Sequence, residues 1–185
     1  GMKGITKLYR GAVSRRVLTT TEAERGIDRL QPTAELVPLS RCDLVIEAAV
    51  EELSIKKKIF ADLSSRASPQ TLLATNTSAL PIHELASVIS HPERLLGLHF
   101  FNPVHRMQLV EVVRTPDTSD ETLATGVAFV RSIGKLPVVV RDSPGFLVNR
   151  ILLPYLVEAA RLFENGGDPQ ALDREMLDFG MPMGP

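Results

Sequence analysis

From Cys42 onward, short apolar runs alternate with segments in which apolar residues recur at helical spacing. Five of these runs have the length and composition of buried strands: 44–46, 72–74, 95–101, 109–113 and 137–140. Helices are predicted between the runs, around 55–63, after Pro81 and at 120–133. This alternation is typical of an α/β fold and predicts a doubly wound, mostly parallel sheet.

Two further helices are predicted before this alternation begins. Residues 5–18 carry apolar side chains near helical spacing with basic residues between them. That pattern favours a solvated amphipathic helix over an anion site. Thr21 and Glu24 form a capping-box pattern, so the second helix is expected to run from there to about Leu30.

The composition changes at 142–145, where Asp, Ser, Pro and Gly interrupt the pattern. An apolar-faced helix is predicted beyond this break at 146–164, and another at about 169–179. We therefore expect two domains, an α/β domain over 1–141 and the start of a helical domain over 142–185.

Composition and charge exclude several classes of protein. With 44% hydrophobic and 23% charged residues, the chain has a globular rather than a disordered composition. Its net charge of -1 provides no general attraction to nucleic acid or anionic lipid. A single cysteine, Cys42, excludes an intramolecular disulfide and fits a reducing, cytoplasmic location. No apolar run is long enough to span a membrane, and no ligand spacing predicts a metal site.

Polar residues follow three of the predicted strands, at 47–52, 76–78 and 99–102. In an open α/β sheet, ligands bind beyond the carboxyl ends of the strands. Because these ends lie at one edge of a parallel sheet, we expect the three polar segments to form a nucleotide pocket there.

His99 and Glu111 are the candidate acid/base pair. A histidine at a strand end is, by itself, more often structural than catalytic. A carboxylate in the middle of the run 109–113 is costly to bury unless it is paired, and a return strand would bring it to His99. A carboxylate that holds an imidazole in one tautomer is the usual support for a histidine base. His105, in a loop, is a weaker candidate, and His83 and His91 are expected in turns or at the surface.

Ser78 and Asn149 are candidates for contact with a substrate. The sequence around Ser78 lacks the glycines of a nucleophile elbow, which favours a hydrogen-bonding role over a nucleophilic one. Asn149 lies on an otherwise apolar helix face and indicates a buried polar contact, either functional or structural.

Several stretches in order resemble the NAD-dependent 3-hydroxyacyl-CoA dehydrogenases, especially the dehydrogenase module of multifunctional fatty-acid oxidation α-subunits. The matching stretches are 43–60, 72–82, 97–122, 134–155 and 179–185. The segments HFFNPV, which begins with His99, and PGFLVNR, which contains Asn149, point most strongly to the multifunctional form.

The resemblance implies NAD-dependent oxidation of (3S)-3-hydroxyacyl-CoA to 3-ketoacyl-CoA in fatty-acid β-oxidation. His99 would be the general base, and Glu111 would orient it and stabilise its charge. Ser78 and Asn149 would hold the substrate oxygen while the cofactor supplies the hydride chemistry. Four residues would line the NAD site: Glu51, Lys56, Asn76 and Asn102.

The family opens with a strand, a G-x-G-x-x-G turn and an acidic residue for the adenine ribose, and none of these is recognised before Cys42. We therefore expect an incomplete Rossmann-type sheet followed by the first helices of an all-α domain. A chain truncated in this way is expected to bind NAD weakly and to be inactive alone. The implied partners are the acyl-CoA substrate, a thiolase subunit and further copies of the chain, with no nucleic acid.

Two alternatives remain open. One is a non-catalytic binding or oligomerisation module that keeps the same fold. The other is a stand-alone 3-hydroxybutyryl-CoA dehydrogenase, which would keep the chemistry outside a multifunctional protein.

Overall fold

The computed structural model describes residues 1–34 and 39–185, and the chain divides into two compact units, Gly1–Pro38 and Leu39–Pro185. The first unit contains two helices, α1 (Met2–Ser14) and α2 (Thr20–Asp28), which contact each other. Helix α1 ends well before the predicted end at residue 18. The chain turns at Arg16, which has a positive φ of 58° that an α-helix does not accommodate.

The capping box of α2 is formed by Thr19 and Glu22, so its prediction at Thr21 and Glu24 was wrong. The Glu22 amide donates to the Thr19 hydroxyl at 3.2 Å, and the Glu22 carboxylate accepts from the Thr19 amide at 2.8 Å. Both pairs satisfy the same sequence pattern. The earlier box lengthens the helix at its N-terminus, and each added residue contributes backbone hydrogen bonds.

The second unit is built on a five-stranded sheet with the strand order β1-β2-β3-β4-β5. The strands are β1 (Leu44–Glu47), β2 (Leu72–Thr75), β3 (Leu95–Phe100), β4 (Leu109–Arg114) and β5 (Leu136–Arg141). All neighbouring pairs are parallel except β3 and β4, which are antiparallel. The predicted mostly parallel sheet is therefore confirmed.

Helices cover both faces of the sheet because its central strands are apolar on both sides. Helices α3 (Leu53–Arg66) and α4 (His83–Ala86) contribute Phe60 and Leu85 to one core cluster, together with Leu73 of β2. Helix α5 (Asp120–Ser132) contributes Val130 to a second cluster, which includes Leu72 from the same strand. Adjacent strand residues point to opposite faces, so one apolar strand supplies both clusters.

The chain continues into helices α6 (Val148–Glu164) and α7 (Pro169–Phe179). Helix α6 begins later than the predicted residue 146 because Phe146 has a positive φ of 49° and interrupts the helical backbone. The expected domain boundary at 141/142 stays a prediction. Within the described residues, no helix is both long and apolar enough to cross a lipid bilayer.

Gly97 provides a test of how closely β3 packs against β4 and against the residue that precedes α4. A Cβ at this position would lie 2.5 Å from Ile82 Cδ1 and 2.7 Å from Val113 Cβ. We expect Gly97→Ala to lower the free energy of unfolding by roughly 1–3 kcal/mol, since Val113 Cβ cannot move without its strand. Chemical denaturation measures this difference.

Gly4→Ala is the matched control, since a Cβ on Gly4 meets no atom within 4 Å. It should leave the unfolding of the sheet unchanged. An equal loss of stability in both variants would contradict the close contact at Gly97.

Candidate active site

His99 and Glu111 form a buried pair across the antiparallel strands β3 and β4. The strand register places them directly opposite each other. His99 Nδ1 lies 2.7 Å from Glu111 Oε2, and the two side chains are 7% and 0% exposed. The return strand expected from the sequence therefore brings the two residues into contact.

The second oxygen of Glu111 binds the beginning of helix α6. Glu111 Oε1 accepts hydrogen bonds from the amides of Leu147 and Val148, both at 2.9 Å. Amides at a helix N-terminus favour an ionised carboxylate. An ionised carboxylate only accepts hydrogen bonds, so His99 donates from Nδ1 and keeps the lone pair of Nε2 available as a base.

Two aromatic rings restrict the orientation of the imidazole. The His99 ring lies 4.6 Å from the ring of Phe101 and 5.7 Å from that of Phe146, between centroids. Phe146 is itself buried and belongs to the core cluster that includes Leu73. Packing and the Glu111 hydrogen bond together hold the base in one position.

Ser78 and Asn149 lie next to each other at the same edge of the sheet. Ser78 follows β2, and Asn149 lies in the first turn of α6, immediately after an amide that binds Glu111. Asn149 Nδ2 donates to the backbone oxygen of Ser78 at 3.3 Å. Ser78 is exposed at this edge of the sheet.

Glu51 organises the segment that carries Ser78. Its Oε1 accepts from the Thr77 hydroxyl at 2.5 Å and from the Ser78 amide at 2.8 Å. Burial alone would raise the pKa of the Glu51 carboxyl, but these hydrogen bonds and the charge of Lys56 together hold that pKa below its usual value. Glu51 is partly exposed, so it can also face a ligand.

Lys56 lies beneath this surface, with only 1% of its side chain exposed. Its ammonium group is 2.7 Å and 2.9 Å from the two carboxylate oxygens of Glu47, and 3.5 Å from Glu51 Oε2. The Thr75 hydroxyl also donates to Glu47. Lys56 is therefore buried at the edge of the sheet, where it pairs with Glu47. The exposed carboxylate nearest to it is that of Glu51.

The two asparagines expected near a cofactor have different surroundings. Asn76 Oδ1 accepts from the Phe100 amide at 3.0 Å, which ties the end of β2 to the end of β3. The NH₂ group of Asn76 is not used in that bond and can donate to a ligand. Asn102 is exposed. With Glu51, these side chains supply donors and an acceptor at the strand ends, which fits the polar groups of a dinucleotide.

The sequence did not identify Asp142, which joins two segments of the site. Its carboxylate accepts from the amides of Ile82 at 3.1 Å and His83 at 2.8 Å, and lies 2.7 Å from His83 Nδ1. A capping signal was available, since aspartate is a favoured acceptor for free amides at a helix start. The partner helix is remote in the sequence, so that signal did not indicate which amides Asp142 binds.

The remaining histidines lie outside this arrangement. His105 and His91 are exposed, as is His83, whose ring reaches Asp142. Among the residues that the structure describes, no group of three or more His, Cys, Asp and Glu side chains is placed to hold a metal ion.

Replacement of Glu111 by Gln tests the buried carboxylate. An amide has one oxygen for the three donors that Glu111 now accepts, and its NH₂ group would face at least one of them. We expect Glu111→Gln to lower the free energy of unfolding by about 3 kcal/mol. The exposed Glu164→Gln is the control and should stay within about 0.5 kcal/mol of the wild type. Equal stability of the two variants would refute the structural role of Glu111.

The lowered pKa of Glu51 predicts a pH-dependent contribution to stability. A carboxyl whose pKa is lower in the folded state stabilises that state above its ordinary pKa of about 4.5. The contribution is lost as the pH falls through the lower folded-state value. The stability difference between wild type and Glu51→Gln should therefore be constant near neutral pH and shrink on acidification. Urea titrations at several pH values measure it, and a pH-independent difference would contradict the assignment.

Comparisons with known proteins identify the family of the chain. The model of the 3-hydroxyacyl-CoA dehydrogenase NAD binding domain matches residues 1–143, and that of the C-terminal domain of the same enzymes matches residues 145–185. A fatty acid oxidation complex subunit alpha from Vibrio cholerae is 46% identical over 97% of this chain. The chain spans only 25% of the length of that relative.

Solved structures of related enzymes have the same fold. The 3-hydroxybutyryl-CoA dehydrogenase from Escherichia coli K12 matches with a TM-score of 0.96 and 44% identity, over 100% of this chain and 39% of that chain. The (S)-3-hydroxybutyryl-CoA dehydrogenase PaaH1 from Ralstonia eutropha matches with a TM-score of 0.91 and 37% identity, over 95% of this chain and 62% of that chain. From these matches in sequence and structure, the chain belongs to the 3-hydroxyacyl-CoA dehydrogenase family.

Proposed function

We propose that the protein containing this chain oxidises (3S)-3-hydroxyacyl-CoA to 3-ketoacyl-CoA with NAD, as a step of fatty-acid β-oxidation. The observation that carries the proposal is the His99–Glu111 pair, in which a buried carboxylate leaves the imidazole with one available lone pair. A base of this kind is what removal of a hydroxyl proton requires. Membership of the family supports the choice of substrate class and cofactor.

His99 removes the proton of the 3-hydroxyl group at Nε2 as the C3–H bond breaks. NAD, when bound, would supply the acceptor for the hydride that leaves C3. The electron pair of the former O–H bond becomes the second bond of the 3-keto group, so the substrate loses one proton and one hydride. Proton transfer to a positioned base contributes about 10²–10⁴-fold to such a step.

Glu111 stabilises the imidazolium that this transfer produces. Its charge is already held by two helix amides, so it need not move during the reaction. Ser78 and Asn149 hold the substrate oxygen from the adjoining segments. Alignment of the oxygen with the base then removes part of the entropic barrier.

The remaining candidate residues act towards NAD. Glu51, Asn76 and Asn102 line the cofactor site at the strand ends, whereas Lys56 acts through Glu51 by balancing its charge. The half-exposed position of Glu51 supports direct contact, and the burial of Lys56 supports the indirect role.

We also propose a partner subunit, self-association and a cytoplasmic location for the protein. The relative named as subunit alpha of a fatty acid oxidation complex supports assembly with a further subunit, which the family resemblance implies to be a thiolase. Exposed apolar side chains on α6 and α7, including Ile151, Phe163 and Phe179, support self-association of the chain. The single cysteine supports a cytoplasmic location.

Substitution of His99 tests the proposed base in the full-length protein. We expect His99→Gln to lower kcat by about 10²–10⁴-fold, because the amide cannot accept the hydroxyl proton. The affinity for NAD should change little, since His99 is placed to act on the substrate. NADH absorbance with 3-hydroxyacyl-CoA measures turnover, and calorimetry measures NAD binding.

His105→Gln is the matched control, since His105 is exposed in a turn and should be replaceable without loss of turnover. Turnover of His99→Gln close to that of His105→Gln would refute the assignment of the base.

A further inference from the structure

Two segments adjoin the strand that carries His99, one through Asn76, which accepts from the Phe100 amide, and one through Phe146, which lies beside the His99 ring. The first runs from Asn76 to His83 and carries Ser78. The second runs from Asp142 to Asn149 and enters helix α6. The bond from Asn149 Nδ2 to the Ser78 carbonyl joins them at 3.3 Å, which is near the upper limit for a hydrogen bond.

Asp142 makes a stronger connection between the same segments. Its side chain is only 2% exposed, and both oxygens are engaged by the first segment. Oδ1 accepts the Ile82 amide at 3.1 Å, and Oδ2 accepts the His83 amide at 2.8 Å. Hydrogen bonds to a buried ionised acceptor are stronger than those between neutral groups.

The second segment is held by carboxylates at both of its ends. Asp142 fastens its beginning, and Glu111 binds the amides of Leu147 and Val148 near its end. Between them, Phe146 has a positive φ and lies beside the His99 ring. A non-glycine residue keeps such a backbone only where its surroundings determine it. Release of either end would therefore shift Phe146 and the start of α6.

We propose that Asp142 is a positioning residue for the substrate oxygen. It fixes the segment of Ser78 against the segment of Asn149, so that both side chains meet the same oxygen while His99 removes the proton. This inference rests on the proposed dehydrogenase function. Asp142 touches neither substrate nor cofactor, and it acts through the backbone amides of residues 82 and 83.

A double-mutant cycle between Asp142 and Ser78 tests the inference in the full-length protein. Asp142→Asn keeps the shape of the side chain but places an NH₂ group where one oxygen accepts an amide. We expect kcat/KM for 3-hydroxyacyl-CoA to fall ~10-fold, with unchanged NAD affinity, because misplacement of a positioned group costs rate. In a Ser78→Ala background, the same substitution should lower kcat/KM less than about 3-fold, since coupled residues are not additive.

Two further variants control for folding. Asp62→Asn, on the exposed face of α3, is the matched substitution and should leave both kcat/KM and NAD affinity unchanged. Asp142→Ser retains one acceptor on a shorter side chain. If Asp142→Asn does not fold, Asp142→Ser replaces it in the double-mutant cycle with Ser78→Ala. Faster hydrogen exchange at the amides of Ile82 and His83 should accompany either Asp142 variant.

The outcomes distinguish this inference from the function on which it rests. A wild-type protein that does not oxidise 3-hydroxyacyl-CoA overturns the proposed function and this role with it. If the wild type is active but the effects of the Asp142 and Ser78 substitutions on kcat/KM are additive, the positioning role alone is overturned. Loss of NAD affinity in the Asp142 variants, at constant kcat, would also overturn it.

Discussion

The buried carboxylate of Glu111 is the constraint on which the site depends. A carboxylate with no exposed surface is costly unless both of its oxygens are hydrogen-bonded, and Glu111 meets this condition by accepting from a histidine and two helix amides. The same requirement joins three elements that are otherwise separate: β4, which carries Glu111, β3, which carries His99, and the start of α6. The energetic need to satisfy one charge thus sets the tautomer of the His99 imidazole and the position of the helix together.

Two further carboxylates, those of Glu51 and Asp142, also accept hydrogen bonds from backbone amides. Glu51 accepts from Thr77 and Ser78, and Asp142 accepts from the amides of Ile82 and His83 at the start of α4. Each carboxylate holds backbone donors that a loop would otherwise leave to water. The loop segments that carry Ser78 and Asn149 are thereby held by hydrogen bonds to carboxylates rather than by regular secondary structure.

The sequence was sufficient where local patterns decide the structure. Apolar runs predicted the strands of the parallel sheet, and the cost of a carboxylate inside the run 109–113 predicted the contact with His99. Sequence patterns gave no correct prediction where two equivalent signals compete, or where a contact joins residues that are distant in the sequence. Thr19 and Thr21 present the same capping signal, and only the packed helix selects between them. Asp142 and the buried position of Lys56 depend on contacts that no local spacing encodes. The assignment of Ser78, Asn149 and the cofactor residues rests on resemblance and stays a prediction.

Because β3 and β4 pair as antiparallel strands, the contact between His99 and Glu111 does not depend on the length of the connection between those strands. His99 and Glu111 meet because they are register partners, and a shift by one residue would place Val110 or Val112 opposite His99. The apolar side chains that face the core oppose such a shift, whereas the turn over 101–108 is mostly exposed. Insertions or deletions in that turn can therefore accumulate without separating the base from its carboxylate. This freedom makes the turn a place where the surface of the protein can change while the contact between His99 and Glu111 is kept.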